Sequence, residues 1–186
     1  MKSHKVRDFM VPLSEYATVS EDATLFEAVM ALEKAQAAFD QTRDRHRALL
    51  VLNHDKQVIG KISQLDVLKA LEPKYEQLMK REGLAHSGLT KEFIKSLMAN
   101  YDLWSSAMSD ICRKAAALKV KEFMYEPTEG EHVEEEATLN QAIHQLVLGK
   151  HQSLLVTRKS EIVGILRLSD VFAAICDAIK ACGLKD

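Results

Sequence analysis

The chain has 186 residues, of which 47% are hydrophobic and 28% charged, and its formal net charge is −2. These values are typical of a globular protein, exclude a disordered or fibrous chain, and provide no overall positive field that would attract nucleic acid. No apolar run reaches the 18 or so residues of a membrane span, and the first residues lack the apolar core of a signal peptide, so we expect a cytoplasmic protein.

The residues that most often carry catalysis or bind metals form no recognisable pattern. Cys112, Cys176 and Cys182 have no CxxC spacing, and the seven histidines form no ligand-spaced cluster with them. The chain contains no HExxH, GxSxG or P-loop motif. We therefore expect no metal site, no required cofactor and no enzymatic activity.

Four segments of the first half recur in the second half in the same order. The pairs are residues 6–10 with 120–124, 23–25 with 137–139, 49–51 with 154–156, and 60–66 with 164–170. The ordered recurrence predicts an internal repeat. The first copy is longer after its helix, where residues 33–47 begin as good helix formers and end as a charged loop.

Each copy has the same predicted elements in chain order. An irregular segment with a proline leads to a short extended piece at 17–19 or 132–133, and a helix with apolar residues at the helical period follows. Two short strands joined by a polar turn come next, at 48–52 and 58–63 or at 153–157 and 162–166, and a last helix starts near Asp66 or Asp170. One β-α-β-β-α unit has a small core, but two units could pack sheet against sheet and share one.

Residues 72–118 form an insert between the two copies. Pro73 can begin a helix that Gly83 and Gly88 end, and Thr90 can cap a second one. Apolar residues then recur in a heptad pattern without an intervening Pro or Gly, at Ile94, Leu97, Tyr101, Trp104, Met108, Ile111, Ala115 and Leu118. The pattern predicts one long helix, which packs either within its own subunit or against a helix of another subunit.

The strand-to-helix motif at 60–66 has two interpretations. Ser63 and Asp66 resemble a capping box, in which the serine and the acid satisfy free N–H groups at a helix start. In the second copy Arg167 replaces the serine and cannot cap, yet the acid recurs as Asp170. The recurrence favours a ligand site, where an acid can accept hydrogen bonds from a ribose diol and nearby helix N–H groups suit a phosphate.

The repeated set of motifs resembles a tandem pair of CBS domains, also called a Bateman module. The resemblance rests on the Val-x-Asp/Glu-Phe-Met segments, the helix after Ala-Thr-Leu, the hairpin glycine with its following acid, and the last helix. It implies an α+β fold of two β-α-β-β-α repeats about a pseudo-twofold axis, at 1–71 and 119–186, with the helical insert at 72–118 between them. Such modules are regulatory, usually form homodimers, and many bind AMP, ADP, ATP or S-adenosylmethionine between the repeats.

The resemblance also implies the binding residues. Ser63 and Asp66 match the family's phosphate- and ribose-contacting pair, and Asp170 matches the ribose acid of the second copy, where Arg167 departs from the usual Ser or Thr. The remaining positions frame the base or lead into the second strand of a repeat: Thr18, Val19, His46, Arg47 and Ala48 in the first copy, and His132, Val133, His151, Gln152 and Ser153 in the second.

Charge distinguishes the two copies. Arg43, Arg45 and Arg47 precede the strand beside the first motif, whereas six glutamates between residues 126 and 136 precede the helix of the second. A phosphate is favoured near the first group and disfavoured near the second, which predicts one better nucleotide site centred on Ser63 and Asp66.

The function expected from the sequence is a sensor that binds an adenine nucleotide and signals to an unidentified client protein, with no nucleic-acid or membrane partner. Two alternatives remain open: a ligand-free scaffold that oligomerises through the heptad helix, and a sensor of S-adenosylmethionine.

Overall fold

The computed structural model describes residues 4–37, 48–75, 77–78, 90–104 and 107–182. The structural statements below concern these residues. Two of the predicted site residues, His46 and Arg47, lie outside them, as do the neighbouring Arg43 and Arg45.

Each repeat is the predicted β-α-β-β-α unit. In the first repeat the elements are β2 (Thr18–Ser20), α1 (Leu25–Ala37), β3 (Ala48–Leu52), β4 (Val58–Ser63) and α2 (Gln64–Leu71). In the second they are β5 (His132–Glu134), α5 (Leu139–Gly149), β6 (Ser153–Arg158), β7 (Glu161–Arg167) and α6 (Leu168–Ala181). The predicted α+β class and the repeat are confirmed.

The strands form two sheets of matching topology. The first sheet has the order β2-β3-β4, with β2 parallel and β4 antiparallel to β3. The second has the order β1-β7-β6-β5, and its extra strand β1 (Val11–Pro12) runs antiparallel to β7. Each repeat therefore presents the same antiparallel hairpin followed by a helix.

The repeated Ala-Thr-Leu motif marks the start of the first helix in each copy. Thr24 accepts a hydrogen bond from the Glu27 N–H, and Thr138 accepts one from Gln141 N–H, so both threonines cap a helix. Leu25 and Leu139, which follow them, are each 1% exposed. The motif is thus a helix start joined to a core anchor.

The segment that opens each repeat packs on the other repeat. Val6 belongs to the core that α5, β6 and β7 enclose, and its N–H donates to the Ala137 carbonyl at 3.0 Å. Val120 belongs to the core of the first repeat, and its N–H donates to the Ala23 carbonyl at 2.8 Å. This exchange ties the two repeats together.

A third core joins the two sheets, as the sequence predicted. Leu50 and Leu155 occupy equivalent positions in β3 and β6, and both side chains are buried in one cluster with Val11, Tyr16 and Ile165. Burial of apolar surface between the repeats is the main force that holds them in one body.

The prediction of one continuous helix in the insert is wrong. The structure has α3 (Lys91–Tyr101), with Thr90 as its predicted cap, and a separate α4 (Ala107–Ala117). Asp102 adopts the left-handed conformation, with φ 48°, and ends α3. The heptad pattern does not predict this turn, because contacts with residues 72–75, outside the heptad segment, hold the turn in place.

The second helix of the insert, α4, packs within the subunit, which was one of the two predicted arrangements. Helix α4 lies against α1 and α2, and the Lys114 ammonium donates to the Leu71 carbonyl at the end of α2, at 2.8 Å.

In the described part of the chain, no helix combines the length and the apolar character needed to cross a membrane.

Candidate functional site

A cleft of about 740 Å³ opens between the two repeats. Both strand-to-helix motifs line it, because β4 and β7 end at the same side of the molecule. The lining residues are Tyr16, Ala48, Lys61, 63–66, Tyr125, Glu131, 150–153, 167–169 and Phe172. The volume lies within the range of small-molecule sites.

The first motif is a capping box that faces this cleft. The Asp66 N–H donates to Ser63 Oγ at 3.3 Å, and Asp66 Oδ2 accepts from the Ser63 N–H at 2.9 Å and from its hydroxyl at 2.7 Å. The capping interpretation is therefore confirmed. It does not exclude a ligand role, because the other oxygen, Oδ1, makes no hydrogen bond within the described residues and lies 3.9 Å from the Lys69 ammonium.

The second motif uses its acid differently. The Arg167 guanidinium donates to Asp170 through Nε at 2.7 Å and through a terminal nitrogen at 2.5 Å, so both carboxylate oxygens are engaged. As predicted, Arg167 makes no side-chain cap at the start of α6. The recurrence of the acid without the serine does not itself require a ligand, since Asp170 has a partner in Arg167.

Tyr16 lies beside this pair in the cleft wall. Its side chain is buried, and burial raises the pKa of the phenol to about 12, with the nearby Arg167 opposing and Asp170 reinforcing the shift. The phenol is therefore neutral throughout the physiological range.

A buried polar cluster joins the repeats at the other side of the cleft. Glu131 is 2% exposed, and its carboxylate accepts from the Lys61 ammonium and, at 2.5 Å, from the Tyr125 hydroxyl. Burial alone would raise the pKa of Glu131, but the hydrogen bonds from Lys61 and Tyr125 and the charge of Lys61 outweigh it and hold the pKa below its ordinary value. Glu131 is thus ionised and neutralises Lys61.

Lys61→Met is expected to lower the free energy of unfolding by about 3 kcal/mol at pH 7, because it leaves a buried carboxylate without its cation. The folded-state pKa of Glu131 lies below its unfolded value, so the pair stabilises the fold above the unfolded pKa and loses that effect as the pH falls through the folded pKa. Urea unfolding at pH 7 and pH 4 should show a smaller difference between variant and wild type at the lower pH. The double variant with Glu131→Gln is the control and should recover part of the loss; no recovery would contradict this reading.

The acidic run before α5 carries less free charge than the sequence suggests. Besides Glu131, the carboxylate of Glu135 binds Arg158, and that of Glu136 binds Arg7. The predicted repulsion of a phosphate by this run is weakened accordingly.

Of the predicted site residues, His46 and Arg47 lie outside the described part of the chain, and the others divide into two groups. Ala48, Ser63, Asp66, Arg167 and the segment 151–153 line the cleft, and Asp170 is bonded to Arg167. Thr18, Val19, His132 and Val133 lie in the parallel strands β2 and β5 and are not among the lining residues; Val133 is 5% exposed in a core, and His132 Nδ1 lies 2.9 Å from the Thr128 carbonyl oxygen. Roles for these residues in binding stay predictions.

Sequence reasoning missed Lys61, Tyr125, Tyr16 and Phe172 as parts of the cleft wall. One signal was available: Lys61 occupies the position that Ile165 holds in the second copy, within an otherwise apolar strand. In the described ranges, no three His, Cys, Asp or Glu side chains come together as a metal site would require.

Comparisons with known proteins agree with this architecture. Residues 6–73 and 120–177 each match the family model of the CBS domain. No curated protein sequence matches the chain.

Solved structures share the fold. The crystal structure of CBSX2 in complex with AMP has a TM-score of 0.59 and 18% identity, over 95% of this chain and 99% of that one. The CBS-pair protein CBSX2 from Arabidopsis thaliana has a TM-score of 0.61 and 17% identity, over 95% and 97%. A CBS domain-containing protein from Bacillus anthracis has 0.61 and 15%, over 95% of both chains.

At these identities the structural similarity shows the fold, while the family model matches both repeats separately and covers more than half of the sequence. The chain therefore belongs to the CBS-domain family, as a pair of CBS repeats with a helical insert between them.

Proposed function

We propose that this chain is a regulatory module that binds an adenosine-containing ligand, AMP, ADP or ATP, in the cleft and signals its presence to a client protein. The observation that carries the proposal is the convergence of both repeat motifs on one cleft of about 740 Å³. CBSX2, which has the same fold, forms a complex with AMP, and this supports an adenine nucleotide as the class of ligand. The proposed module carries out no catalytic step and has no nucleic-acid or membrane partner. Its proposed location is the cytoplasm.

The chemistry of the cleft suits the parts of a nucleotide. Leu65, Leu168 and Phe172 supply apolar surface for a base, and Asp66 supplies a carboxylate oxygen for the ribose hydroxyls. Ser63 already donates its hydroxyl proton to Asp66, so a phosphate contact would require that hydroxyl to rotate.

We propose that Asp66 marks the better site. A ribose at Asp66 can use Oδ1 while Oδ2 keeps the cap, whereas a ribose at Asp170 must displace a two-bond ion pair with Arg167. Breaking a charge-assisted pair costs free energy that a new hydrogen bond must first recover.

The chain is also proposed to form a homodimer. Helices α2 and α6 also expose large apolar side chains that do not line the cleft, among them Leu68 on the first and Ile179 on the second. Exposed apolar surface of this kind often marks an interface. Multi-angle light scattering should give twice the chain mass of 20.9 kDa, and a monomer at the concentrations used for binding would overturn this part.

A thermal-shift screen tests the function. At a concentration of 100 times the dissociation constant, a nucleotide adds about 2.7 kcal/mol of stability, which raises the melting temperature of a chain of this size by roughly 5–10 °C. AMP, ADP and ATP are compared with S-adenosylmethionine and with GMP as the base control. A shift with the adenine nucleotides supports the proposal, a shift with S-adenosylmethionine alone supports that alternative, and no shift with any ligand supports a scaffold.

A further inference from the structure

The sequence of the insert and its observed conformation disagree. Residues 91–118 contain no Pro or Gly and keep a heptad pattern throughout, which is typical of one helix. In the structure the helix ends at Tyr101, and both Asp102, with φ 48°, and Trp104, with φ 66°, adopt left-handed conformations. Aspartate tolerates such a conformation better than most residues, but it is unfavourable for tryptophan, so local preference alone does not explain the bend.

Contacts from the segment after α2 hold the bend in place. Glu72 is 3% exposed, and its carboxylate accepts from the Trp104 N–H at 2.9 Å. The Lys74 ammonium donates to the carbonyls of Tyr101, at 2.8 Å, and Asp102, at 3.2 Å. These two side chains satisfy backbone groups that the end of a helix leaves free.

The tryptophan ring adds a fourth contact. Its Nε1 donates to the Tyr75 hydroxyl at 2.9 Å. Four hydrogen bonds therefore join the bend to residues 72–75, which follow α2 directly.

Helix α3 would lose few packing contacts if the bend opened. None of its residues is buried, and Ile94 and Met98 are 40% and 56% exposed. Helix α4 is anchored more firmly, through Lys114 to the end of α2 and through the Leu118 carbonyl, which accepts from the Leu25 N–H at 2.8 Å. Helix α3 is thus the part of the insert that is free to swing.

Helix α2 connects the bend to the cleft. It has eight residues, a length of about 12 Å, with Ser63 and Asp66 in the cleft wall at its start and Glu72 at its end. A short helix moves as a rigid body, so a shift at its start also displaces Glu72.

We propose that the insert is a two-state switch, in which Glu72 holds it bent at residues 102–104 and loss of that contact lets α3 and α4 join into one helix. Occupation of the cleft changes the balance between the two states through α2, and this coupling rests on the proposed function. The coupling is reciprocal by linkage. If a ligand in the cleft favours one state of the insert by a given factor, that state binds the ligand more tightly than the other state by the same factor. The heptad pattern thus describes the second state, and the bend describes the first.

Pulsed electron paramagnetic resonance tests the switch directly. Spin labels are placed by Lys95→Cys and Arg113→Cys in a chain whose three cysteines, Cys112, Cys176 and Cys182, are replaced by serine; both labelled positions are exposed. One continuous helix puts the labelled backbone positions about 27 Å apart, and a bent insert brings them closer.

Four variants give the expected pattern. Glu72→Ala should move most of the population to the longer distance, while Glu72→Gln, which keeps an acceptor oxygen, should retain the short one. Asp102→Ala and Asp102→Gly both remove the same side chain, but only glycine adopts a positive φ without cost, so alanine should lengthen the distance and glycine should not. If Glu72→Ala fails to fold, the Asp102 pair decides, and an unchanged distance in both alanine variants overturns the switch.

AMP at saturation, with its binding measured on the same samples by calorimetry, tests the coupling. A changed ratio of the two distances is expected. Binding without a change overturns the coupling and leaves the proposed function intact. Absence of binding overturns the proposed function and its coupling, and the variants still decide whether the switch exists.

Discussion

Asp66→Ala is expected to weaken AMP binding by about 100-fold, and Asp170→Ala by less than about tenfold. Loss of a charged acceptor that holds ribose hydroxyls costs about 1.5–3 kcal/mol, which corresponds to roughly 10- to 150-fold in affinity. Asp66 has an oxygen that can make these bonds, whereas Asp170 uses both oxygens on Arg167. Isothermal titration with AMP measures the two losses.

Stability provides the control for these variants, because the two substitutions should rank in the opposite order there. Asp66→Ala removes a capping box, which costs about 1 kcal/mol. Asp170→Ala removes the bidentate partner of Arg167, which is 7% exposed, and should cost about 3 kcal/mol. If binding follows stability, or if both acids cost the same affinity, Asp66 does not mark the site.

Gly164→Ala is expected to lower the free energy of unfolding by about 3 kcal/mol, and Gly60→Ala by about 1 kcal/mol. A Cβ at Gly164 would lie 2.5 Å from the backbone oxygen of Val11, in the paired strand β1, which cannot move without breaking the pairing. A Cβ at Gly60 would lie 2.7 Å from the Met124 sulfur, at the flexible end of a side chain, although the Tyr125 carbonyl oxygen follows at 3.1 Å.

Urea unfolding of the two glycine variants measures this difference. Each variant is the control for the other, because both carry the same substitution at equivalent positions of the repeat. The glycine recurs because another segment of the chain pairs closely with the hairpin beside it in both copies. Strand β1 pairs with β7 at Gly164, and Tyr125 pairs with Lys61 next to Gly60. A loss at Gly60 equal to or larger than the loss at Gly164 would show that backbone contact is not the cause.

The secondary structure of the repeats was predictable because local signals and burial agree there. The Ala-Thr-Leu segments combine a cap with a core leucine, and β3 and β6 each contain a buried Leu-Leu-Val run. What the sequence could not show is that Val6 packs on the second repeat and Val120 on the first. Both opening segments carry the same Val-x-Asp/Glu-Phe-Met pattern, so the pattern does not show which of the two cores each segment enters.

The cleft was predictable only where the two copies repeat each other. Ser63 and Asp66 were found because a second version exists for comparison, whereas Lys61 and Glu131 are unique and 70 positions apart. Their pairing depends on how the repeats face each other, and so does the bend in the insert, which Glu72 and Lys74 impose from outside the heptad segment. Contacts of this kind leave no periodic signal in a single sequence.

The most direct test of the proposed site is a crystal structure of the chain grown with saturating AMP. We predict one nucleotide in the cleft, with its ribose hydroxyls within hydrogen-bond distance of the Asp66 carboxylate and the Arg167–Asp170 pair intact. An empty cleft, or a ribose bound to Asp170 in place of Asp66, would contradict it.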